Sequence, residues 1–246
     1  MHLVIGMTAD VSLISVKFWK ALESWCSNID IIFAIQSHFM PIDIPLKSCK
    51  YTHLTLDTKE ITHTINRVAK ISNARDYQRG MILPGIQHTA LKSVTMIDMD
   101  IELPSYILFK EAQQKLKKYD LVCANGYELN PHNEKQVYDT FPLVLENGLW
   151  MYKHVGHKQK TLFQDILRYD MFPVKYCFGG MAMYDANIWK TRECDFRMHD
   201  SKYQLHGQSC EHLRFQSCLR IRGNLTRAAI FSKLLLYRKW DPKRIR

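Results

Sequence analysis

Two aspartates stand two residues apart in 97-IDMD-100, directly after the mostly apolar run 93-SVTMI-97. On an extended chain a period of two puts the side chains of Asp98 and Asp100 on one side and Met99 opposite. Two converging carboxylates are hard oxygen donors. They suit Mg2+ or Mn2+, which usually share such ligands with substrate phosphates. A solvated strand end, or an N-cap for a helix starting near 105, is the plainer reading. In 176-YCFGGMAMYDANIWK-190, Gly179 and Gly180 allow a tight turn or a close backbone approach to a ligand. A simple strand bend explains them equally well. In 206-HGQSCEHLRF-215, Glu211 and His212 are adjacent. A carboxylate there can act as a base, and His212, or else His206, as a metal or phosphate ligand. The alternative is a surface pair at a helix end.

These residues need a scaffold, and the apolar pattern supplies one. The runs His2–Met7, Asp30–Ile35, Val94–Ile97 and Asp120–Ala124 are short and nearly continuously apolar. The stretches 12–26, 58–83 and 105–118 have helical spacing between them. Such alternation predicts an α/β fold, with a mostly parallel central sheet covered on both faces by helices. In such a sheet ligands gather outside the carboxyl ends of the strands, where Asp98 and Asp100 fall. After 126 the chain is broken by prolines and glycines, and a smaller mixed part is expected. No repeat or linker separates the halves, so one sheet or one cleft is expected to join them.

The chain has 246 residues, 46% of them hydrophobic, which suits one globular domain rather than a disordered chain. No apolar run reaches the roughly 18–20 residues of a membrane span, and no secretory signal is expected. Seven scattered cysteines, never in CxxC, predict reduced thiols and a cytoplasmic location. The net charge of +10 is concentrated in 220–246, where nine basic residues face one acidic residue. No nucleic-acid partner is expected for the body of the chain. The segment 221–246 reads as a basic tail or packed terminal helix, a candidate for peripheral contact with an anionic membrane.

The order of these pieces resembles the GT-A glycosyltransferases that use nucleotide-sugars. It is most similar to small enzymes encoded by large DNA viruses of chlorella-like algae, with fungal capsule mannosyltransferases further off. The matching pieces are 72-SNARD-76, 97-IDMD-100, 138-YDTF-141, 177-CFGGMAMY-184 and 210-CEHLRF-215, within 1–220. Asp76 stands where the family usually has Asn, which puts a contact there in question. The resemblance implies a single GT-A (Rossmann-like) domain over 1–220, with a nucleotide-binding half at 1–126 and an acceptor half at 127–220. It implies that Asp100, assisted by Asp98, holds Mn2+ or Mg2+ against the diphosphate of a nucleotide-sugar, UDP-linked rather than GDP-linked. Thr8 and Asp10 would contact the nucleotide, and Arg75 the nucleotide or diphosphate. Gly179 and Gly180 would line a sugar, and Asp139 would meet a sugar hydroxyl. Glu211 would take the proton of a carbohydrate or glycoprotein acceptor, and His212 would be a further metal ligand. If the chain is viral, its place is the host cytoplasm.

Other classes fit parts of the pattern. Paired carboxylates also serve metal-dependent phosphoryl transfer and nucleases. Cys194, His199, His206, Cys210, His212 and Cys218 lie within 25 residues and could bind zinc, though at no standard spacing. A sugar-binding protein without catalysis on the same scaffold is a third class.

Overall fold

The computed structural model describes residues 1–8, 14–37, 44–55, 67–129, 132–138, 140–151, 157–196 and 210–237. Its strands are β1 His2–Met7, β2 Ile31–Ser37, β3 Lys50–Thr55, β4 Ser93–Asp98, β5 Leu121–Leu129, β6 Lys135–Val137, β7 Val144–Leu145, β8 Met171–Tyr176, β9 Met181–Asp185 and β10 Ala228–Tyr237. Its helices are α1 Val16–Asn28, α2 Arg67–Ile86, α3 Tyr106–Lys115, α4 His157–Leu167, α5 Ala186–Trp189 and α6 Glu211–Ile221.

One sheet carries all the strands, in the order β3-β2-β1-β4-β9-β5-β10-β8-β7, with β6 beside β5. Strands β1–β5, β7 and β10 run one way and β6, β8 and β9 the other. The sheet is therefore mostly parallel, and both halves of the chain share it. Side chains alternate along the strands, as a sheet covered on both faces requires. Leu3, Ile5, Val94, Met96, Leu121 and Tyr184 pack with Ile82 and Ile86 of α2, Ile166 of α4 and Phe215 of α6. Val4, Ile97, Val122, Met181 and Met183 pack with Phe18, Leu22 and Trp25 of α1 and Phe109 of α3. Trp25 stacks on Phe109 at 4.0 Å and donates its indole N–H to the carbonyl of Pro104 at 2.8 Å. Burying such side chains contributes about 1.5–3 kcal/mol each.

The strands and helices expected in the first half are present, though residues 12–13 of the expected first helix and 58–66 of the second lie outside the described residues. Two expectations are corrected, and a third falls with them. The segment 221–246 is not simply a tail or a helix. Its residues 228–237 form β10 in the middle of the sheet, parallel to β5 and antiparallel to β8. The run AAIF-SK-LLLY is buried over most of its length, and a strand buried on both faces carries no helical period. The reduced thiols are likewise not found. Cys26 is bonded to Cys49, Cys123 to Cys177 and Cys194 to Cys218. These bridges join residues 23, 54 and 24 positions apart. Each stabilises by roughly 3–4 kcal/mol in the chain-entropy account. Cys194 and Cys218 are thereby removed as zinc ligands, because a disulfide sulfur is not a thiolate. His199 and His206 lie outside the described residues.

Two consequences can be measured. Gly126 of β5 packs so tightly on the glycine turn that a Cβ would stand 2.4 Å from the carbonyl oxygen of Gly179. Gly126→Ala is expected to destabilise the fold by at least about 2 kcal/mol, since backbone must move; urea unfolding measures this, and an unchanged midpoint contradicts the packing. His2 is buried beside Ser93, with Nδ1 2.8 Å from the hydroxyl. Burial, helped by the nearby charges of the N-terminus and Lys92, holds its pKa at about 4 against 6.5. The unfolded chain therefore binds a proton that the folded chain refuses. Stability is full above pH 6.5 and declines as pH falls from 6.5 towards 4, by up to about 3 kcal/mol from this group. His2→Gln should flatten that part of the stability profile.

Candidate active site

The carboxyl end of β4 is where the candidate residues meet. Asp98 closes the strand, paired with Met7 of β1 in register. Beside it β9 runs antiparallel, so β9 begins where β4 ends. That polarity brings Gly179–Gly180 alongside Asp98, whose N–H donates to the carbonyl of Gly180 at 2.9 Å. Both glycines have positive φ, 62° and 80°, which a Cβ strains. A Cβ on Gly179 would also stand 2.3 Å from the carbonyl oxygen of Ala124. Close packing on β5 is thus sufficient reason for glycine there.

Arg75 joins the site from α2. Its guanidinium is almost wholly buried, with Nη2 3.2 Å from Asp98 Oδ1 and Nε 3.5 Å from Glu211 Oε1. It also lies over the ring of Phe178 at 5.5 Å. Each charge pair is worth on the order of 4 kcal/mol at an effective dielectric near 20, largely offset by desolvation. The net effect is to make the three elements converge rather than to add stability. Helix α2 is pinned to the sheet by Gln36, which donates to the carbonyl of Ala74 at 2.8 Å, and by Gln78, which donates to that of Gly6 at 3.2 Å. Asp76, the departure from the family pattern, serves the packing of α2. It accepts the N–H of Phe196 at 2.6 Å and ties the helix to the loop after α5.

Glu211 opens α6, where a negative charge suits the positive end of the helix. Its Oε1 faces His212 Nε2 at 3.5 Å, and its Oε2 accepts from the thiol of Cys210 at 3.4 Å. His212 is buried and stacks on Phe178 at 3.6 Å between centroids. Burial, and then the charge of Arg75, push its pKa well below the usual range, so the ring is neutral at pH 7. Neither ring nitrogen has a hydrogen-bond partner among the described residues. Glu211 and His212 are therefore an interior pair, not an exposed helix end.

Asp98 and Asp100 differ in setting. Asp98 is one-quarter exposed, and its Oδ2 accepts the hydroxyl of Tyr138 at 3.3 Å. The strand stops there; Met99 is buried in the following turn and Asp100 is exposed. Neither aspartate caps α3, whose first turn is capped by the Ser105 hydroxyl. Oxygen donors of this kind, one of them open to solvent, fit a hard divalent cation completed by a ligand's phosphate oxygens. No group of three or more His, Cys, Asp or Glu among the described residues is arranged to hold a metal alone. His212 accordingly does not join the aspartates in such a group. Thr8 follows β1 and donates its N–H to the carbonyl of Gln36 at 3.0 Å, near the same edge of the sheet. Asp10 and Asp139 lie outside the described residues.

Four contributors escape sequence reasoning. Tyr138 and Phe178 fall inside the motifs quoted above, but nothing local marks them as partners of Asp98 and Arg75. Gln216 is buried and clamps Cys177 from both sides: it accepts the N–H at 3.0 Å and donates to the carbonyl at 2.7 Å. Asn125 lines a cavity of about 10 Å³ with Gly126, Tyr138, Phe178 and Gly179, and its buried amide has no partner among the described residues. A polar residue inside the apolar strand 121-LVCANG-126 is the one signal that could have found it.

Comparison with solved structures places this geometry in a known fold. The chain aligns with TarS 1–349 of S. aureus at a TM-score of 0.51 and 11% identity, covering 97% of this chain and 60% of that one. The chain therefore spans less than two thirds of that structure. A197 from STIV aligns at 0.46 and 13%, covering 98% and 86%. A nucleoside-diphosphate-sugar pyrophosphorylase from Vibrio cholerae RC9 aligns at 0.47 and 11%, covering 96% and 92%. The likeness to TarS concerns the fold alone, which is GT-A-like. No curated protein matches at the level of sequence. A family model, Cryptococcal mannosyltransferase 1, matches residues 44–217, which hold Arg75, both aspartates, the glycine turn and Glu211. The chain belongs to the Cryptococcal mannosyltransferase 1 family.

Proposed function

We propose that the protein is a glycosyltransferase that moves a sugar from a nucleoside diphosphate sugar, UDP-linked, to a hydroxyl of a carbohydrate or of a protein-borne glycan, with Mn2+ or Mg2+. The reading is carried by one observation: in a chain of this family, Asp98, Arg75 and Glu211 form a single charged cluster at the carboxyl end of β4. Asp98 and Asp100 would hold the cation. Bound there, it offsets the negative charge that builds on the departing diphosphate.

The chain's own groups divide the remaining work. Thr8 and Asp10 are assigned to the nucleotide and Asp139 to a sugar hydroxyl. Arg75 is too buried to be a free phosphate clamp. Its role is to hold both carboxylates in place. Glu211 takes the proton of the acceptor hydroxyl while that oxygen bonds to the sugar C1 and the C1–O bond to the diphosphate breaks. This puts the base and the leaving group on opposite sides of the sugar and implies inversion. His212, neutral and against Glu211, is assigned to orienting that carboxylate rather than to the metal. Gly179 and Gly180 hold the wall beside the sugar. No helix among the described residues is long and apolar enough to cross a membrane. Five basic residues of 238–246 suit contact with an anionic membrane surface. The cytoplasmic location rested on reduced thiols, and the disulfides remove that support.

A panel of UDP- and GDP-linked sugars, with and without Mn2+, should show cation-stimulated release of nucleoside diphosphate. No release from any donor would overturn the reading. Asp100→Ala should abolish that release with an unchanged melting temperature, because Asp100 is exposed. Asp98→Ala should abolish it and also lower stability by about 1–3 kcal/mol, since among the described residues Arg75 then keeps Glu211 as its one ionic partner. Equal stability of the two variants would contradict the burial of Arg75. Glu211→Gln should slow transfer by about 10²–10⁴-fold with little change in donor KM; a normal kcat would move the base elsewhere.

A further inference from the structure

Six of the seven cysteines are paired, with Cα separations of 5.0, 6.0 and 5.6 Å, inside the window a disulfide needs. Cys210 is the one outside these bridges, and it is buried. The bridges are not spread evenly. Cys26–Cys49 joins α1 to the start of β3 at the far edge of the sheet. The other two flank the charged cluster. Cys177 immediately precedes Phe178, the ring against which both Arg75 and His212 lie, and it is bonded to Cys123 in β5. Cys218 sits two turns along α6 from Glu211 and is bonded to Cys194. Two residues beyond Cys194, Phe196 is the anchor of Asp76, next to Arg75.

No other disulfide among the described residues spans these walls. The glycine turn contacts α6 through the Gln216 clamp on Cys177, and α6 contacts the loop after α5 through Phe196 stacking on Phe215 at 4.5 Å. Cys194–Cys218 therefore doubles the second of these ties, and Cys123–Cys177 adds a covalent tie to the β5–β9 pairing on the other side of the turn.

We propose that the three cysteine pairs are disulfides in the working protein and that Cys123–Cys177 and Cys194–Cys218 hold the charged cluster in register. The chain is then built for an oxidising environment. Each bridge forms by thiol–disulfide exchange: two thiols give up two protons and two electrons to a disulfide donor, such as glutathione disulfide or a protein disulfide, which leaves as two thiols. Such bonds persist where disulfide donors are supplied and are rare in reducing compartments.

The test uses the full chain, equilibrated in an oxidising glutathione buffer and then unfolded in N-ethylmaleimide. One label is expected before reduction, on Cys210, and seven after it. Non-reduced peptide maps should join 26 to 49, 123 to 177 and 194 to 218. Seven labels before reduction, or other pairings, overturn the assignment. Native reduction with dithiothreitol, followed by hydrogen exchange, tests the bracing. Peptides over 176–182 and 211–219 should exchange at least about tenfold faster, while the β1 peptide stays within about twofold. An unchanged or uniform response overturns it. The last arm rests on the proposed function: Cys123→Ala/Cys177→Ala should weaken binding of UDP with Mn2+ at least about tenfold, and Cys26→Ala/Cys49→Ala should leave it within about twofold. Equal effects overturn the bracing. If the double variant does not fold, exchange on the reduced wild type decides; if UDP does not bind the wild type, the proposed function fails while the label count and exchange still decide this proposal.

Discussion

A single buried guanidinium sets the terms for the rest of the molecule. Arg75 is carried into the interior on α2, and an unpaired cation there would cost several kcal/mol. It is met by Asp98 from the end of β4 and Glu211 from the start of α6, residues 23 and 136 positions away in the chain. Neither attraction adds much net stability once desolvation is counted. What the triad does is exclude alternative packings: a slide of α2, or a one-residue slip of β4, would strand the charge. The ties from Gln36, Gln78 and Asp76 brace α2 against such a slide. The same constraint explains why Phe178 is aromatic and close, since its face accepts the cation on a side where neither Asp98 nor Glu211 stands.

The second condition is the direction of β9. A purely parallel sheet would place beside the end of β4 only the ends of other strands. An antiparallel β9 delivers the loop that precedes it, and with it the glycine turn, to the very edge where ligands gather. Because β9 pairs with both β4 and β5, the turn is held between them, which is why Gly126 and Gly179 approach so closely that neither tolerates a Cβ. The fold thus uses glycine for packing, and the open backbone beside Asp98 follows from it.

Much of this is legible in the sequence, and the gaps have physical causes. β1, β2, β4 and β5 are readable because buried parallel strands are compact apolar runs between helical periods. Asp98 is readable because it ends such a run. β10 is hidden because the basic composition of 220–246 belongs mostly to its flanks. Within the strand Lys233 is the one basic residue, and it sits at an exposed position. The disulfides are hidden because spacing does not reveal which cysteines meet; Cys123 and Cys177 are neighbours only through the shared β5–β9 sheet. The convergence of Arg75 on Asp98 and Glu211 is out of reach for the same reason. Each residue stands out on its own, but the contact belongs to tertiary packing. Tyr138, Phe178 and Gln216 act through partners that no local pattern names.

The two aspartates of the IDMD motif, alike in sequence, are unlike in their physics. Asp98 is held from several sides: its oxygens are met by Arg75 and Tyr138, and its N–H by Gly180. Asp100 lies in the turn beyond the strand, exposed to solvent. Asp98 is therefore tied into the fold from α2 and from the glycine turn, while Asp100 stands exposed at the same edge. The first is a structural anchor as well as a candidate ligand, because moving it would take from Arg75 part of the charge that compensates its burial. The second can change position without disturbing that ion pair. Identical residues two positions apart differ in this way because the strand ends between them.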